Sequence, residues 1–461
     1  MKQIVTFIFL VSVIAVLAVV CYVFPQPKWE VGSLTLRFPQ LSDVLRPAAD
    51  SKISADSVVM AVEQSLTMTV KLDSAEQARQ DSILFYKKFF TENAARIYCP
   101  NDDPKFFFRL FAALDEAHSN PLHIIHYGDS QIEGDRISGT LRRRLQKMFG
   151  GGGPGLVPLQ QPIPRASLSQ SISDSVAMKY AGGMIGPRSK HNHYGAMAQM
   201  CRISNDTTTF RLTQYHSKSI ERVKVFVGNV DSTLNVVVNG NKKSIGRSPK
   251  IKTLTWSFHA KTNSVRIALN GAADIYGIAL DGGNGVSLTN IPMRGSEGTF
   301  FTRIDSYEMK QMLKELDTRL IIMEFGGNAL PMLNDSIGVG KYCKFFGMQI
   351  DYMKSVCPEA DIMVIGPADM SIKIDGVLQT YPLLPLLVEN MKQVCMEKNA
   401  AFWNMYEVMG GRNSMPAWVA HQPIWAAPDY IHFSSRGADR ISDLLWQSLM
   451  NYYNYYKLVN N

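Results

Sequence analysis

The chain has 461 residues, more than one hydrophobic core usually serves, so we expect two or three domains. Hydrophobic residues make up 46% of it and charged residues 19%, a composition that excludes a wholly disordered protein. The net charge of +8 favours an anionic partner such as a cell-wall polymer or lipid headgroups, and the chain has no lysine or arginine run of the kind that suggests nucleic acid.

The first predicted element is a membrane anchor in residues 1–27. Residues 4–24 carry no charge and are numerous enough to cross a bilayer as a helix. A cleaved signal peptide is the alternative, but the run exceeds a usual signal-peptide core and lacks an A-x-A-like exit. The positive charge at Lys2 predicts that the body of the protein faces away from the cytoplasm, on the periplasmic or extracytoplasmic side of the inner membrane.

The next segment, residues 28–81, mixes prolines, serines and charges with short apolar pieces and predicts a stalk or linker. Apolar side chains then recur at helical spacing, and the run Leu122–Tyr127 predicts a buried strand. Residues 131–149 again show a helical pattern, so Ser130 is expected at a strand-to-helix turn. Such a turn projects the serine hydroxyl from the carboxyl end of the strand and places backbone N–H groups beside it.

The glycine-rich segment Gly150–Gly155 predicts a flexible turn, because it lacks the lysine and the following helix of a phosphate-binding loop. Between residues 165 and 285, short β-type runs separated by turn signals predict an inserted all-β sandwich. The runs are Phe210–Leu212, Val223–Val227, Leu234–Val238, Leu254–Phe258, Val265–Leu269 and Ile275–Leu280.

Strand and helix patterns alternate in the remaining residues, 286–461. The predicted strands are Leu320–Phe325, Ile362–Ile365 and Ala400–Trp403, and the predicted helices are Tyr307–Leu316, Lys341–Val356, Leu384–Lys398 and Arg436–Tyr453. This alternation indicates an α/β fold with a parallel sheet flanked by helices and a ligand site at the carboxyl ends of the strands. Residues 82–164 and 286–461 would form one domain that the β insert interrupts.

Three residues have the chemistry of a nucleophilic triad. A serine hydroxyl needs a histidine base, and that histidine needs a carboxylate to orient it. Ser130, His432 and Asp429 could supply these roles, with Asp429 close enough in sequence for one turn of chain to present both partners. His421, in the same irregular stretch, is the rival base, but no aspartate precedes it by three residues. Asp129 is expected to be a structural hydrogen-bond partner.

Other histidines have simpler interpretations. His123 and His126 lie in the predicted buried strand and are expected to be core or supporting residues. His191 and His193, near the boundary of the insert, could bind a metal only with partners that the sequence does not reveal. The cysteines show no metal-ligand spacing.

The motifs together carry a family resemblance. Gly128-Asp129-Ser130, Gly326-Gly327-Asn328 and Asp429-Tyr430-Ile431-His432 resemble, in that order, blocks one, three and five of the SGNH/GDSL hydrolase superfamily. The resemblance covers residues 121–449 without the insert. A β-sandwich between the first two blocks further resembles the peptidoglycan O-acetylesterase branch, whose insert is similar to a carbohydrate-binding module.

This resemblance implies an oxyanion hole formed by the Ser130 N–H, the Gly295 N–H and the Asn328 side chain. A glycine lets the backbone approach the reacting group, and an amide donates without titrating. Gly298 and Gly183 compete with Gly295 for this role.

The implied activity is that of an extracytoplasmic serine esterase that removes O-acetyl groups from a cell-wall glycan, above all peptidoglycan, with no cofactor or metal. Two alternatives remain: a glycan O-acetyltransferase with the same triad, and a non-catalytic glycan-binding protein whose β insert carries the function. The sequence does not separate esterase from transferase, because they differ in how well water is excluded. Trp418 and Trp425 are expected either to stack on a sugar or to pack their own loop.

Overall fold

The computed structural model describes residues 28–31, 34–37, 55–66, 75–161, 163–172, 178–182, 188–189, 191–215 and 218–460. The predicted anchor therefore lies outside the described residues. Within the described ranges, no helix combines the length and the hydrophobicity that crossing a bilayer requires. The chain divides into two units, Met1–Ile53 and Ser54–Asn461. In the first, β1 (Lys28–Val31) pairs with β2 (Leu34–Arg37) in antiparallel fashion.

All further elements belong to the second unit. Its α-helices are α1 Ala55–Leu66, α2 Ala75–Glu92, α3 Phe108–Asp115, α4 Ser138–Phe149, α5 Ser306–Glu315, α6 Ser336–Val356, α7 Leu384–Glu397, α8 Met405–Val408, α9 Ser414–Ala420 and α10 Ser435–Asn460. Its strands are β3 Ile97–Tyr98, β4 Leu122–Gly128, β5 Gly155–Val157, β6 Leu168–Ile172, β7 Met178–Gly182, β8 Gln199–Ile203, β9 Thr208–Gln214, β10 Ile220–Gly228, β11 Val230–Val238, β12 Asn241–Ser248, β13 Lys252–Thr262, β14 Ser264–Asn270, β15 Ala273–Asp281, β16 Val286–Pro292, β17 Thr318–Glu324, β18 Asp361–Ile365, β19 Ser371–Ile374, β20 Val377–Thr380 and β21 Ala401–Trp403. Short 3₁₀ helices span Pro100–Asp102, Ser130–Asp135, Phe301–Arg303 and Gly327–Met332.

The central sheet has the strand order β16-β4-β17-β18-β21-β3. Its first five strands run parallel and β3 runs antiparallel at the edge. Successive side chains of β4 point to opposite faces. Ile125 and Tyr127 pack in a core with α5, α6 and α7, while Leu122 and Ile124 pack with α3, α4 and α10. Because helices cover both faces, every residue of β4 is buried, and the predicted parallel sheet flanked by helices is confirmed.

Two antiparallel sheets form the β part of the molecule. One has the order β13-β10-β15-β8-β7 with β5 also on β15, and the other has the order β12-β11-β14-β9-β6. Apolar side chains from both sheets meet in a shared core. The predicted β runs all fall within these strands, whereas β5, β6, β7, β8 and β12 were not predicted. In β12 nearly every residue is exposed, so no apolar alternation marks it.

The glycine-rich segment packs tightly against the neighbouring backbone. A Cβ on Gly151 would collide with the Val286 backbone, and one on Gly153 would collide with the Leu280 carbonyl. The Gly152 carbonyl accepts a hydrogen bond from the Gly282 N–H at 2.9 Å. The glycines therefore allow a close approach between the α/β domain and the β sheets, instead of forming the flexible turn predicted.

Two further segments differ from the sequence-based predictions. Helix α4 begins at Ser138, because Glu133 is extended and Gly134 has a φ of +67° within the preceding turn. Helix α1 lies within the range predicted as a linker, yet Val59 and Val62 are buried in the core that also contains α10.

Candidate active site

The carboxyl edge of the central sheet brings the predicted site residues together. Ser130 follows β4, Gly295 follows the neighbouring β16 and Asn328 follows β17 on the other side. His432 comes from the loop before α10. These four residues line one cavity of about 460 Å³. The parallel register of adjacent strands thus places residues distant in sequence around a single space.

A serine, a histidine and an aspartate form a continuous hydrogen-bonded chain at this cavity. Ser130 Oγ lies 2.7 Å from His432 Nε2, and His432 Nδ1 lies 2.8 Å from Asp429 Oδ2. Asp429 Oδ1 accepts hydrogen bonds from the backbone N–H groups of Ile431 at 2.9 Å and His432 at 3.0 Å. Tyr430, between them, has a φ of +59°. One tight turn therefore presents both the carboxylate and the imidazole.

The charge of Asp429 determines which imidazole nitrogen carries the proton. Burial alone would raise the pKa of Asp429, but hydrogen bonds from the backbone and side chain of His432 outweigh it, and the pKa lies below its usual value. The ionised carboxylate accepts the proton of Nδ1. Nε2 is then free to accept the proton of the Ser130 hydroxyl.

Gln131 connects the serine turn to the histidine loop. Its Nε2 donates to the Ile431 carbonyl at 2.7 Å, and its Oε1 accepts from the Phe433 N–H at 3.2 Å. These are the residues on either side of His432, and Gln131 is buried. The side chain therefore fixes the backbone that carries the imidazole.

Arg136 makes a second connection between the same two segments. Its guanidinium donates to the Ser130 carbonyl at 2.5 Å and to the Phe433 carbonyl at 3.0 Å. Neither Arg136 nor Gln131 had a predicted role. Their partners beside His432 are backbone carbonyl and N–H groups some 300 positions away, and no residue type signals such a partner.

Asn328 is held at the cavity wall by Asp129. Asn328 Nδ2 donates to Asp129 Oδ2 at 2.9 Å and to the Ser296 carbonyl at 3.2 Å. Asp129 Oδ1 accepts from the Gln131 N–H at 2.9 Å. Asp129 thus links the turn that carries Ser130 to the amide of Asn328.

Gly295 lies on the exposed wall of the cavity with a φ of +73°, and a Cβ added there would contact nothing within 4 Å. Gly298 has a different setting, since its Cβ would lie 2.5 Å from the Phe325 ring. Gly183 lies outside the described residues. Of the two described glycines, Gly295 alone lines the cavity with Ser130.

An ion pair fixes the Gly295 loop to the serine turn. Arg294 Nε and a terminal guanidinium nitrogen lie 2.6 and 2.7 Å from the two carboxylate oxygens of Glu133. Glu133 is buried, and this fork geometry is specific to arginine. No sequence pattern indicates this ion pair, because Glu133 and Arg294 lie in turns that follow different strands.

The fold is similar to that of a solved peptidoglycan O-acetylesterase. The two structures superpose with a TM-score of 0.64 at 21% identity, covering 77% of this chain and 97% of that chain. A family two carbohydrate esterase from Cellvibrio japonicus gives a TM-score of 0.24 at 11% identity, covering 63% and 99%, and an acetyl xylan esterase gives 0.28 at 14%, covering 36% and 81%. No model of a known protein family matches the sequence, and no curated protein matches it.

Of these TM-scores, the first indicates a common fold and the other two do not. This likeness confirms, at the level of the fold, the predicted resemblance to the peptidoglycan O-acetylesterase branch. The superposition covers 97% of the peptidoglycan O-acetylesterase chain, so nearly all of that structure has a counterpart in this chain.

The rival base and the loop tryptophans lie away from the reacting groups. His421 Nε2 lies 2.8 Å from Asp56 Oδ1, and its ring stacks on Trp425 with 3.6 Å between centroids. Trp418 is completely buried and donates to the Met409 carbonyl. The tryptophans therefore pack the loop, and Tyr381 supplies an aromatic ring to the cavity wall.

The two histidines of strand β4 lie in the interior of the α/β domain. His126 Nε2 lies 3.0 Å from Glu324 Oε2, and His123 Nδ1 lies 2.9 Å from the Leu316 carbonyl. Both histidines are buried. They are core residues, as the sequence predicted.

We expect Asp129 to make the folded protein less stable as the pH rises. Burial, followed by the Glu324 carboxylate, outweighs the bond from the Gln131 N–H and raises the pKa of Asp129 to about 7. An unfolded aspartate has a pKa of about 3.9, so between these values the folded protein keeps a proton that the unfolded chain has lost. Stability from this group is present below about pH 4 and is lost as the pH rises to about 7.

The free energy of unfolding of the wild type, minus that of Asp129→Asn, should fall by on the order of 4 kcal/mol across that range. Denaturant titrations at several pH values measure it. Any fixed cost of the new amide cancels in the slope. A difference that stays constant with pH would show that Asp129 is already ionised near pH 4.

Proposed function

We propose that this protein is a serine esterase that removes O-acetyl groups from a cell-wall glycan, above all peptidoglycan. The observation that carries the proposal is the hydrogen-bonded chain from Ser130 through His432 to Asp429, beside Asn328 in a substrate-sized cavity. The fold shared with a peptidoglycan O-acetylesterase supports it.

In the first half of the reaction, Ser130 Oγ attacks the acetyl carbonyl while His432 Nε2 accepts the hydroxyl proton. The imidazolium then gives this proton to the departing sugar oxygen, which leaves an acetyl-serine. In the second half, His432 activates a water that attacks the acetyl-serine and releases acetate. Asp429 stabilises the imidazolium through Nδ1 in both halves.

Three donors would stabilise the oxyanion: the N–H groups of Ser130 and Gly295 and the amide of Asn328. Asn328 Nδ2 donates one hydrogen to Asp129 Oδ2, with 2.9 Å between the two atoms. It donates the other hydrogen to the Ser296 carbonyl over a longer distance of 3.2 Å. We expect that second hydrogen to turn to the oxyanion, since a charged acceptor bonds more strongly than a carbonyl. Losing one such donor typically costs about 10²–10³ in rate.

The proposed location is the periplasmic or extracytoplasmic face of the inner membrane, with residues 1–27 as the anchor. The support is the uncharged run at residues 4–24 and the net charge of +8, which suits a polymer that carries carboxylates.

The proposal is tested by acetate release from O-acetylated peptidoglycan, with base-treated peptidoglycan as the blank and acetylxylan as a second glycan. We expect the full chain to release acetate from the first and much less from acetylxylan. Acetyl groups that appear on an added oligosaccharide without free acetate would identify a transferase instead. Glycan binding with neither reaction would overturn the enzymatic assignment.

Gln131→Ala is expected to lower kcat by about 10- to 100-fold with little change in KM, because a displacement of about 1 Å at the reacting groups costs this much. The variant loses both hydrogen bonds that fix the backbone beside His432. Gln349→Ala is the matched control: Gln349 is also buried and also accepts from a backbone N–H and donates to a carbonyl, on α6. Each variant should lose roughly 1–3 kcal/mol of stability, measured by denaturant unfolding, but the control should keep its kcat. Equal effects on kcat would contradict a positioning role.

A further inference from the structure

A second group of metal-ligating side chains lies away from the cavity. His193, Asp305 and Glu308 each offer a ligand atom, and these atoms all lie within 4.8 Å of one another. His193 precedes β8, while Asp305 caps α5 and Glu308 lies in its first turn. None of the three is among the described residues that line the cavity. The sequence did not reveal any further metal ligands beside His193, whereas the fold places two carboxylates there.

Glu308 is a buried carboxylate whose Oε2 atom has no aligned hydrogen-bond donor. The residue is only 4% exposed. His193 Nδ1 lies 2.9 Å from Oε2, but out of line for a hydrogen bond. A buried carboxylate oxygen without a donor is costly. Some further group is needed to balance its charge.

The neighbouring Asp305 increases that need. The two carboxylates lie within hydrogen-bonding reach of each other. Two adjacent carboxylates repel unless a proton or a cation lies between them.

Helix capping accounts for only part of the cluster. Asp305 Oδ1 accepts from the Tyr307 N–H at 2.8 Å, which is an ordinary N-cap bond. In a capping box, Glu308 would accept from the Asp305 N–H. That N–H instead donates to the Asn192 carbonyl at 2.9 Å. Glu308 therefore takes no part in capping the helix, and its side chain is directed at His193 and Asp305.

We propose that His193, Asp305 and Glu308 bind a divalent transition-metal cation such as Zn²⁺ or Mn²⁺. Ligands about 2.1 Å from an octahedral metal and at right angles lie about 3.0 Å apart, and the His193–Glu308 distance of 2.9 Å matches this. One imidazole with two carboxylates suits these metals, and water would complete the coordination. The cation would fasten the segment that leads into β8 to helix α5 of the α/β domain.

The proposal is tested by titrating the metal-stripped full chain with ZnCl₂ or MnCl₂ in a calorimeter. The variants are Glu308→Gln and His193→Ala, and the control is His259→Ala, which removes an exposed histidine of β13. We expect one ion per wild-type or control chain. Either site variant should weaken binding by at least about 100-fold, more than loss of a supporting contact typically costs. Added metal should raise the Tm of the wild type and the control but not of the site variants.

Two results would overturn the proposal: a wild-type chain that binds neither ion, or site variants that bind as tightly as the control. If the wild-type chain binds neither ion, Asp305 and Glu308 share a proton. Folding of each variant is checked by its Tm in EDTA. The comparison of metal-loaded with EDTA-treated wild type needs no variant, so the test still decides if a variant fails to fold.

Discussion

Ser130→Ala is expected to lower kcat for acetate release by on the order of 10⁶. The variant keeps the cavity and the donors of Gly295 and Asn328 but has no oxygen to accept the acetyl group. In the wild type His432 Nε2 lies 2.7 Å from that oxygen. In the variant the imidazole has no serine hydroxyl to activate. The measurement is the initial rate of acetate release from O-acetylated peptidoglycan and from a small aryl acetate.

Ser355→Ala is the matched control, because Ser355 is an exposed serine of α6 whose hydroxyl bonds only locally, to the Tyr352 carbonyl at 2.6 Å. It should keep the full rate. Activity that survives in Ser130→Ala at a tenth of the wild-type rate would mean that another group performs the attack. Equal loss on both substrates would place the defect in the chemistry rather than in glycan binding.

Local patterns in the sequence predicted four strands of the central sheet, β4, β17, β18 and β21, and the pairing of His432 with Asp429. The strand β4 is an uninterrupted apolar run because helices cover both of its faces. Asp429 and His432 lie three residues apart, so one turn suffices to join them. Both features depend on residues that are close together in the chain, so they can be predicted from one sequence.

Apart from the contact between Ser130 and His432, features that depend on distant partners were not predicted. Strand β16 carries Thr289 and Asn290 in buried positions, and its pattern does not look like that of a core strand. In the fold, Thr289 accepts from the Leu156 N–H, and Asn290 donates to Ser138 and to the Ile132 carbonyl. These partners bond the Thr289 hydroxyl and the Asn290 NH₂ group, but they lie more than a hundred residues away and only the folded chain reveals them.

The same limit applies to the supporting residues of the site. Gln131 looks like any residue after a motif serine, and its importance arises from two backbone groups beside His432. The pair of Glu133 and Arg294 holds two loops that follow adjacent strands. Strand order, which the sequence does not state, decides that these loops meet.

Asp429→Asn is expected to lower kcat by on the order of 10⁴ while leaving KM nearly unchanged. In the wild type, Oδ1 accepts from the backbone N–H groups of Ile431 and His432. The asparagine oxygen would keep those bonds, so its NH₂ group would replace Oδ2 opposite His432 Nδ1. A donor in that place forces the imidazole proton onto Nε2. The Nε2 atom then faces Ser130 with its own proton and cannot accept the proton of the hydroxyl group. The steady-state rate of acetate release measures the loss.

The matched control is Asp439→Asn on α10, an aspartate whose side chain is 54% exposed, similar to the 46% of Asp429. The control should keep the wild-type rate. If Asp429→Asn stays within about tenfold of the wild type, the imidazole is oriented by another group and the aspartate only caps its turn. If the variant is inactive and also has a much lower Tm, the backbone bonds of Oδ1 were lost as well. A large loss of kcat at an unchanged Tm therefore distinguishes control of the imidazole proton from support of the loop.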